Sequence, residues 1–160
     1  MSDLMINILP FHEDHQPGID EMMSLIANEF VVSIFSPQSK TIKDVSLLPG
    51  NKYWVALFES KVIGTVGFST IQNKCIVLKR LFVDKAFRGK GVSEALLETV
   101  INYATNNKIS AIYLGTMNQF KAAQKFYTNH GFQEITQDEL PIDFPIYPVD
   151  KLFYKKELRY

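Results

Sequence analysis

The chain has 160 residues, enough for one domain burying about 70% of its unfolded surface and too few for two of comfortable size. Its 46% apolar and 21% charged residues suit an ordinary soluble protein, and 17 basic residues balance 17 acidic ones, so no overall field draws it to nucleic acid or an anionic membrane. The single cysteine, Cys75, excludes an intrachain disulfide and a cysteine-based zinc cluster, and with no metal site expected it fits a reducing cytoplasm.

The opening residues, Met1 to Ile6, show neither a basic start nor a long apolar run, and no stretch approaches the roughly 18 apolar residues of a membrane span, so neither a leader nor an anchor is expected. Leu4, Ile6 and Ile8 alternate with other residues before Pro10 and suit a first strand. After Pro17 and Gly18, the positions Ile19, Met22, Met23, Ile26, Phe30 and Val31 have helical spacing, which predicts a helix with a methionine-rich core face. Residues Ser33 to Gly50 mix Ser, Pro, Lys and aliphatics and read as a short helix or a loop.

Tyr53 to Phe58 and Val62 to Phe68 are β-rich runs joined by the polar connection Glu59-Ser60-Lys61. A further strand, Cys75 to Val83, follows the turn Gln72-Asn73-Lys74, giving a three-strand antiparallel meander. Gly64 and Gly67 mark either bulges or places where a neighbour packs close to the backbone.

The strand that closes at Leu81, Phe82 and Val83 runs into a short basic turn, Arg88-Gly89-Lys90-Gly91. Beyond it, Val92, Ala95, Leu96, Val100, Ile101 and Ala104 recur at helical spacing up to Asn106-Asn107. Free N–H groups in a first helical turn carry partial positive charge, Gly89 and Gly91 let backbone approach a ligand, and Arg88 and Lys90 add full charges. The stretch is a phosphate or pyrophosphate site or an ordinary strand-to-helix turn. It fits neither the P-loop signature nor the dinucleotide G-x-G-x-x-G, because Glu94 stands three residues beyond Gly91.

Ile109 to Leu114 supplies the strand after that helix, and strand, crossover helix and strand imply a parallel pair. Thr116 with Gln119 has capping-box spacing for a helix whose face carries Ala122, Ala123, Phe126 and Tyr127 and which stops at Gly131. Phe132 to Ile135 re-enters the sheet. Thr136 to Lys151 holds Pro141, Pro145 and Pro148 and reads as a fixed irregular loop. Leu152 to Tyr154 and Leu158 close the chain in a final hairpin. The fold class is α+β: a mixed, mostly antiparallel sheet with one parallel, splayed pair and helices on both faces, in one domain over residues 1–160.

Arg88-x-x-Gly91-x-Ser93 after Leu81-Phe82-Val83 resembles the [RQ]-x-x-G-x-[GA] cofactor motif of the GNAT superfamily of N-acetyltransferases, and Ala123-x-x-Phe126-Tyr127-x-x-x-Gly131-Phe132 resembles that family's A-x-x-[LF]-Y-x-x-x-G-F helix. Together the two blocks cover Cys75 to Ala104 and Ile112 to Phe132. The resemblance implies an acetyl-CoA-dependent N-acetyltransferase using direct attack by a primary amine in a ternary complex. By the same resemblance, backbone at Leu81, Phe82 and Val83 holds the pantetheine arm, and amides of Arg88, Gly89, Lys90, Gly91, Val92 and Ser93 hold the pyrophosphate. Tyr127 then serves as general acid to the leaving thiolate.

The chain departs from the family pattern at several places. Lys85 stands where many relatives have Pro, Ser93 where they have Gly or Ala, and Phe120 where an asparagine is common, so that Asn118 or Gln119 is the substitute for that asparagine's cofactor contact. Lys79 and Arg80 occupy the strand where some members carry a glutamate base. A base then has to come from Glu29, from a carboxylate of the proline-rich segment, or from water. Asp138, Glu139, Asp143 and Asp150 form either an acidic lip for a cationic amine or a solvated loop. Phe144, Tyr147, Phe153 and Tyr154 wall a pocket or a homodimer interface. The expected acceptor is a small-molecule or peptide amine. A catalytically silent acyl-CoA-binding module is the competing expectation.

Overall fold

Residues 5–30 and 40–158 are described by a computed structural model. Strands β1 (Asn7–Pro10), β2 (Lys52–Phe58), β3 (Lys61–Ile71), β4 (Cys75–Val83), β5 (Ala111–Thr116), β6 (Gln133–Ile135) and β7 (Leu152–Glu157) form one sheet of order β1-β2-β3-β4-β5-β7-β6. The pair β4–β5 is parallel, while β1–β2, β2–β3, β5–β7 and β6–β7 are antiparallel, as the mixed α+β reading requires. The helices are α1 (Gln16–Ala27), α2 (Ile42–Val45), α3 (Val92–Asn106) and α4 (Lys121–Asn129). By contact density the chain divides into two compact units, one of Met1–Phe68 with Lys79–Asn102 and one of Ser69–Leu78 with Tyr103–Tyr160.

In the first unit, Glu59 and Ser60 both have positive φ, 49° and 66°, which makes a two-residue turn whose twist matches the strands it joins. Lys61 therefore begins β3 instead of belonging to the connection. Helix α1 starts at Gln16, earlier than the periodicity predicts, because a proline is tolerated in a first turn where its missing N–H has no partner to lose. Gly18 inside it answers to packing: a Cβ there would lie 2.8 Å from Val62 Cγ2. The helix ends at Ala27, so Phe30 lies beyond it; Leu4, Val31 and residues 33–39 fall outside the described residues. Of the stretch predicted as short helix or loop, Ile42–Val45 is helical, with Thr41 Oγ1 accepting from the Asp44 N–H at 3.1 Å.

Side chains alternate across a strand, and the two faces of β2 and β3 take different partners. Ile19, Met22, Met23 and Ile26 of α1 pack with Tyr53, Val55 and Val62. The ring of Tyr53 lies over Gly67, where a Cβ would come within 2.0 Å of it. Ala56 and Gly64 point to the other face, and a Cβ on Gly64 would meet Leu96 of α3 at 2.9 Å. Both strand glycines thus mark close packing, and the strands carry a helix on each face. Each fully buried aliphatic side chain in this arrangement contributes about 1.5–3 kcal/mol.

The second unit is built on β5, which pairs with β7 over six residues from Ala111↔Glu157 to Thr116↔Leu152, while β6 adds to the far side of β7. Cys75, Val77, Ala111, Tyr113, Phe144 and Phe153 form its core. Phe144 pins the proline-rich segment, whose only helical turn among the described residues is Gln137–Glu139. Thr116 does not cap a helix as its spacing predicts, because it is the last residue of β5 and its carbonyl accepts from the Lys151 N–H at 3.0 Å. Helix α4 begins five residues later with Phe120 at its cap position and no side-chain cap, and it stops before Gly131, whose φ is 86°.

Candidate functional site

The turn after β4 belongs to the first unit and is shaped before any ligand is considered. The ladder of β4 with β5 holds three pairs, Cys75↔Ala111, Ile76↔Ile112 and Val77↔Tyr113, and goes no further. Three residues on, Arg80 has a φ of 58°, a left-handed conformation that costs a residue with a Cβ about 1–2 kcal/mol. The hydroxyl of Thr65, 1% exposed, donates to the Arg80 carbonyl at 2.7 Å, and the Arg80 guanidinium donates to the carbonyl of Lys40. These two bonds hold Arg80 in that conformation immediately before Leu81, Phe82 and Val83.

Past Val83 the chain is held by its own backbone. The Asp84 N–H donates to the Ile63 carbonyl at 2.8 Å, and Asp84, buried, accepts from the Ala86 N–H through Oδ1 at 2.9 Å. Gly89 and Gly91 then take φ values of 75° and 85°, with no atom within 4 Å of where a Cβ would stand on either. Their glycine identity therefore answers to backbone conformation and leaves clear space over the turn. The first bond of α3 runs from the Ala95 N–H to the Gly91 carbonyl at 3.0 Å. Val92 and Ser93 lie in the opening turn, whose amides the helical ladder leaves without acceptors.

The full charges expected beside the turn are otherwise engaged. Arg88 donates through Nε to the Val83 carbonyl at 2.9 Å and through both terminal nitrogens to the two carboxylate oxygens of Glu29. Lys90 lies over the Phe87 ring, 5.9 Å from its centre. Glu29, one of the sources considered for a base, thus has both carboxylate oxygens engaged by the Arg88 fork.

Tyr127 belongs to the second unit. Helix α4 buries it to 7% exposure, with ring centres of Phe132 and Tyr154 at 5.6 and 5.9 Å. Burial first, and then the neighbouring Tyr154 phenol, pushes its pKa well above the ordinary tyrosine value. Its hydroxyl thus keeps its proton at neutral pH, and it makes no hydrogen bond to a described residue. The shift runs away from neutrality, so it keeps a proton on the phenol without making the phenol a stronger acid.

Other residues singled out in the sequence have local duties. Asn118 Oδ1 accepts from Lys121 Nζ at 2.9 Å, and the Asn118 carbonyl accepts from Gln124. Glu139 accepts from the Thr136 N–H and hydroxyl at 2.9 Å, and Asp143 Oδ2 accepts from the Gln72 N–H at 2.7 Å, so two of the four carboxylates of the supposed acidic lip are tied to their own surroundings. His130 ends α4 with Nδ1 2.8 Å from the Phe126 carbonyl. Cys75 is a buried packed thiol whose pKa is raised by that burial. Among the described residues no group of His, Cys, Asp or Glu is arranged to hold a metal, and no helix is long and apolar enough to cross a membrane.

The model of the acetyltransferase (GNAT) family matches residues 19–132. An N-acetylaspartate synthetase of Danio rerio is 35% identical over 114 residues, which are 69% of this chain and 40% of that protein, so the chain spans less than half the length of this curated relative. The crystal structure of a GNAT-family acetyltransferase from Staphylococcus aureus Mu50 is similar with a TM-score of 0.90 and 33% identity, covering 97% of this chain and 100% of the other. The PaiA N-acetyltransferase of Thermoplasma acidophilum, solved in complex with coenzyme A, shares the fold with a TM-score of 0.75 at 17% identity, covering 96% of this chain and 99% of the other. Matched by the family model over most of its length and by an acetyltransferase structure from end to end, the chain belongs to the GNAT acetyltransferase family.

Proposed function

We propose that the two units make one acetyltransferase domain that moves an acetyl group from acetyl-CoA to a primary amine by direct attack. The observation that carries this reading is the turn after β4, with two left-handed glycines, clear space above them and the opening turn of α3. Such a turn fits a diphosphate, and in this reading the amides from Arg88 to Ser93 hold it, each charge-assisted bond contributing about 1.5–3 kcal/mol before the entropy of binding is subtracted. Backbone at Leu81, Phe82 and Val83, beyond the end of the β4–β5 ladder, holds the pantetheine arm, and Asn118 contributes a cofactor contact from the turn before α4. Acetyl-CoA supplies the activated acyl group as a thioester. Tyr127 gives its proton to the departing sulfur, which leaves as a thiol instead of a thiolate.

The acceptor in this reading is an amine that also carries carboxylate, such as an amino acid. Lys79 and Arg80 put positive charge on β4, the carboxylates Glu139 and Asp143 are engaged locally, and a similar protein is named for making N-acetylaspartate. Proton removal from the ammonium form then falls to water, since Glu29 is occupied by Arg88.

The test is release of free CoA thiol from acetyl-CoA over a panel of amines: aspartate, glutamate and other amino acids, polyamines, and peptide N-termini. Turnover is expected with acidic amino acids before polyamines. A polyamine preference removes the acceptor class. Heat on CoA binding with no thiol release from any amine replaces the transferase with a silent acyl-CoA-binding module, and no heat from CoA or acetyl-CoA removes both.

A further inference from the structure

Glu29 stands two residues past the end of α1, 59 positions before Arg88 in the chain, yet its carboxylate receives both terminal nitrogens of that guanidinium. The same guanidinium uses its third nitrogen, Nε, on the carbonyl of Val83 at 2.9 Å. One planar group therefore ties together three pieces of backbone: the end of β4, the turn at residue 88 and the chain following α1. The Glu29 side chain is 21% exposed and the Arg88 side chain 40%, so the pair is partly shielded from water, and a two-point contact of this kind fixes direction as well as distance. With its forked face turned to Glu29, this guanidinium braces the turn instead of adding a free charge to it.

We propose that Glu29 is a positioning residue for the cofactor turn: acting through Arg88, it holds the backbone of Arg88 to Gly91 in the shape that a diphosphate requires, and it touches neither acetyl-CoA nor the amine. This rests on the reading of the turn as the acetyl-CoA diphosphate site. Without the carboxylate, the Arg88 fork loses two of its three anchors, and the torsions of Gly89 and Gly91, which have no Cβ to limit them, relax. The binding cost then falls on the part of the ligand that the turn grips. It does not fall on the pantetheine arm or on proton transfer.

The test compares Glu29→Gln with the unaltered chain in three measurements: calorimetric CoA binding, steady-state kinetics with acetyl-CoA and with S-acetyl-pantetheine, which lacks the diphosphate, and the thermal midpoint. The expected result is about a tenfold weaker Kd for CoA and a matching rise in KM for acetyl-CoA, with kcat within about twofold and kcat/KM for S-acetyl-pantetheine unchanged. The shorter Glu29→Asp, which keeps the charge but not the two-point reach, is expected between the two and carries the same comparison should Glu29→Gln fail to fold. Equal losses with both acyl donors, or unchanged CoA affinity, overturn the positioning role while leaving the diphosphate site standing. An unaltered chain that gives no heat with CoA removes the site itself, and the inference with it.

Discussion

At the turn after β4, exposed residues shape a backbone: Gly89 and Gly91 carry no side chain, and Arg88 is spent on Val83 and Glu29. At α4 the reverse holds, since Tyr127 is buried among the rings of Phe132 and Tyr154 and only its phenol oxygen is chemically interesting. The first region is open and presents main-chain atoms; the second is closed and presents one side chain. A transferase needs both kinds of place. Holding an anion calls for many donors in a fixed curve, and delivering a proton calls for one group placed beside the leaving atom.

Substitutions that separate binding from turnover test the contrast. Tyr127→Phe removes the proton donor of the proposed reaction and keeps the ring, so turnover should fall by roughly 10²–10⁴ while calorimetric CoA affinity stays within about twofold. Undiminished steady-state turnover takes Tyr127 out of the reaction. Gly91→Ala should do the opposite: its φ of 85° costs a Cβ-bearing residue about 1–2 kcal/mol. The free turn relaxes to escape that strain and must regain its shape on binding, so a CoA affinity lower by about tenfold with kcat nearly kept is expected, read from the same titration and assay. An unchanged Kd would show that the left-handed turn is dispensable. The smallest effect is expected at Thr65→Val, which keeps the shape of the side chain but leaves the Arg80 carbonyl without its buried donor. A loss of about 1 kcal/mol in denaturant unfolding is expected. Full stability would mean that Arg80 holds its conformation unaided.

Both regions were marked in the sequence, for different reasons. Glycines at 89 and 91 between a strand and an amphipathic helix permit the left-handed backbone found there, and the family's spacing around Tyr127 is local to one helix. The β-rich runs of β2, β3 and β4 and the period of α3 were equally plain. Partners far apart in the chain were not. Nothing near Glu29 announces Arg88, and nothing near Arg80 announces a left-handed residue whose carbonyl is met by a hydroxyl fifteen positions away on β3. Local rules also misled where two of them competed. Pro17 reads as a break but sits in a first turn, where a proline loses nothing, and Thr116 has the spacing of a cap but is claimed by the pairing of β5 with β7.

The ring of Tyr53, laid across Gly67, bears on how this protein can change over time. Because any carbon added at position 67 would sit 2.0 Å from that ring, an alanine can arrive there only after residue 53 has shrunk or turned away. Turning away would pull the ring out of its packing with Ile19, Met22 and Met23. The two sites are therefore inherited as one, and among descendants of this chain a bulky residue at 53 and a bare backbone at 67 should travel together.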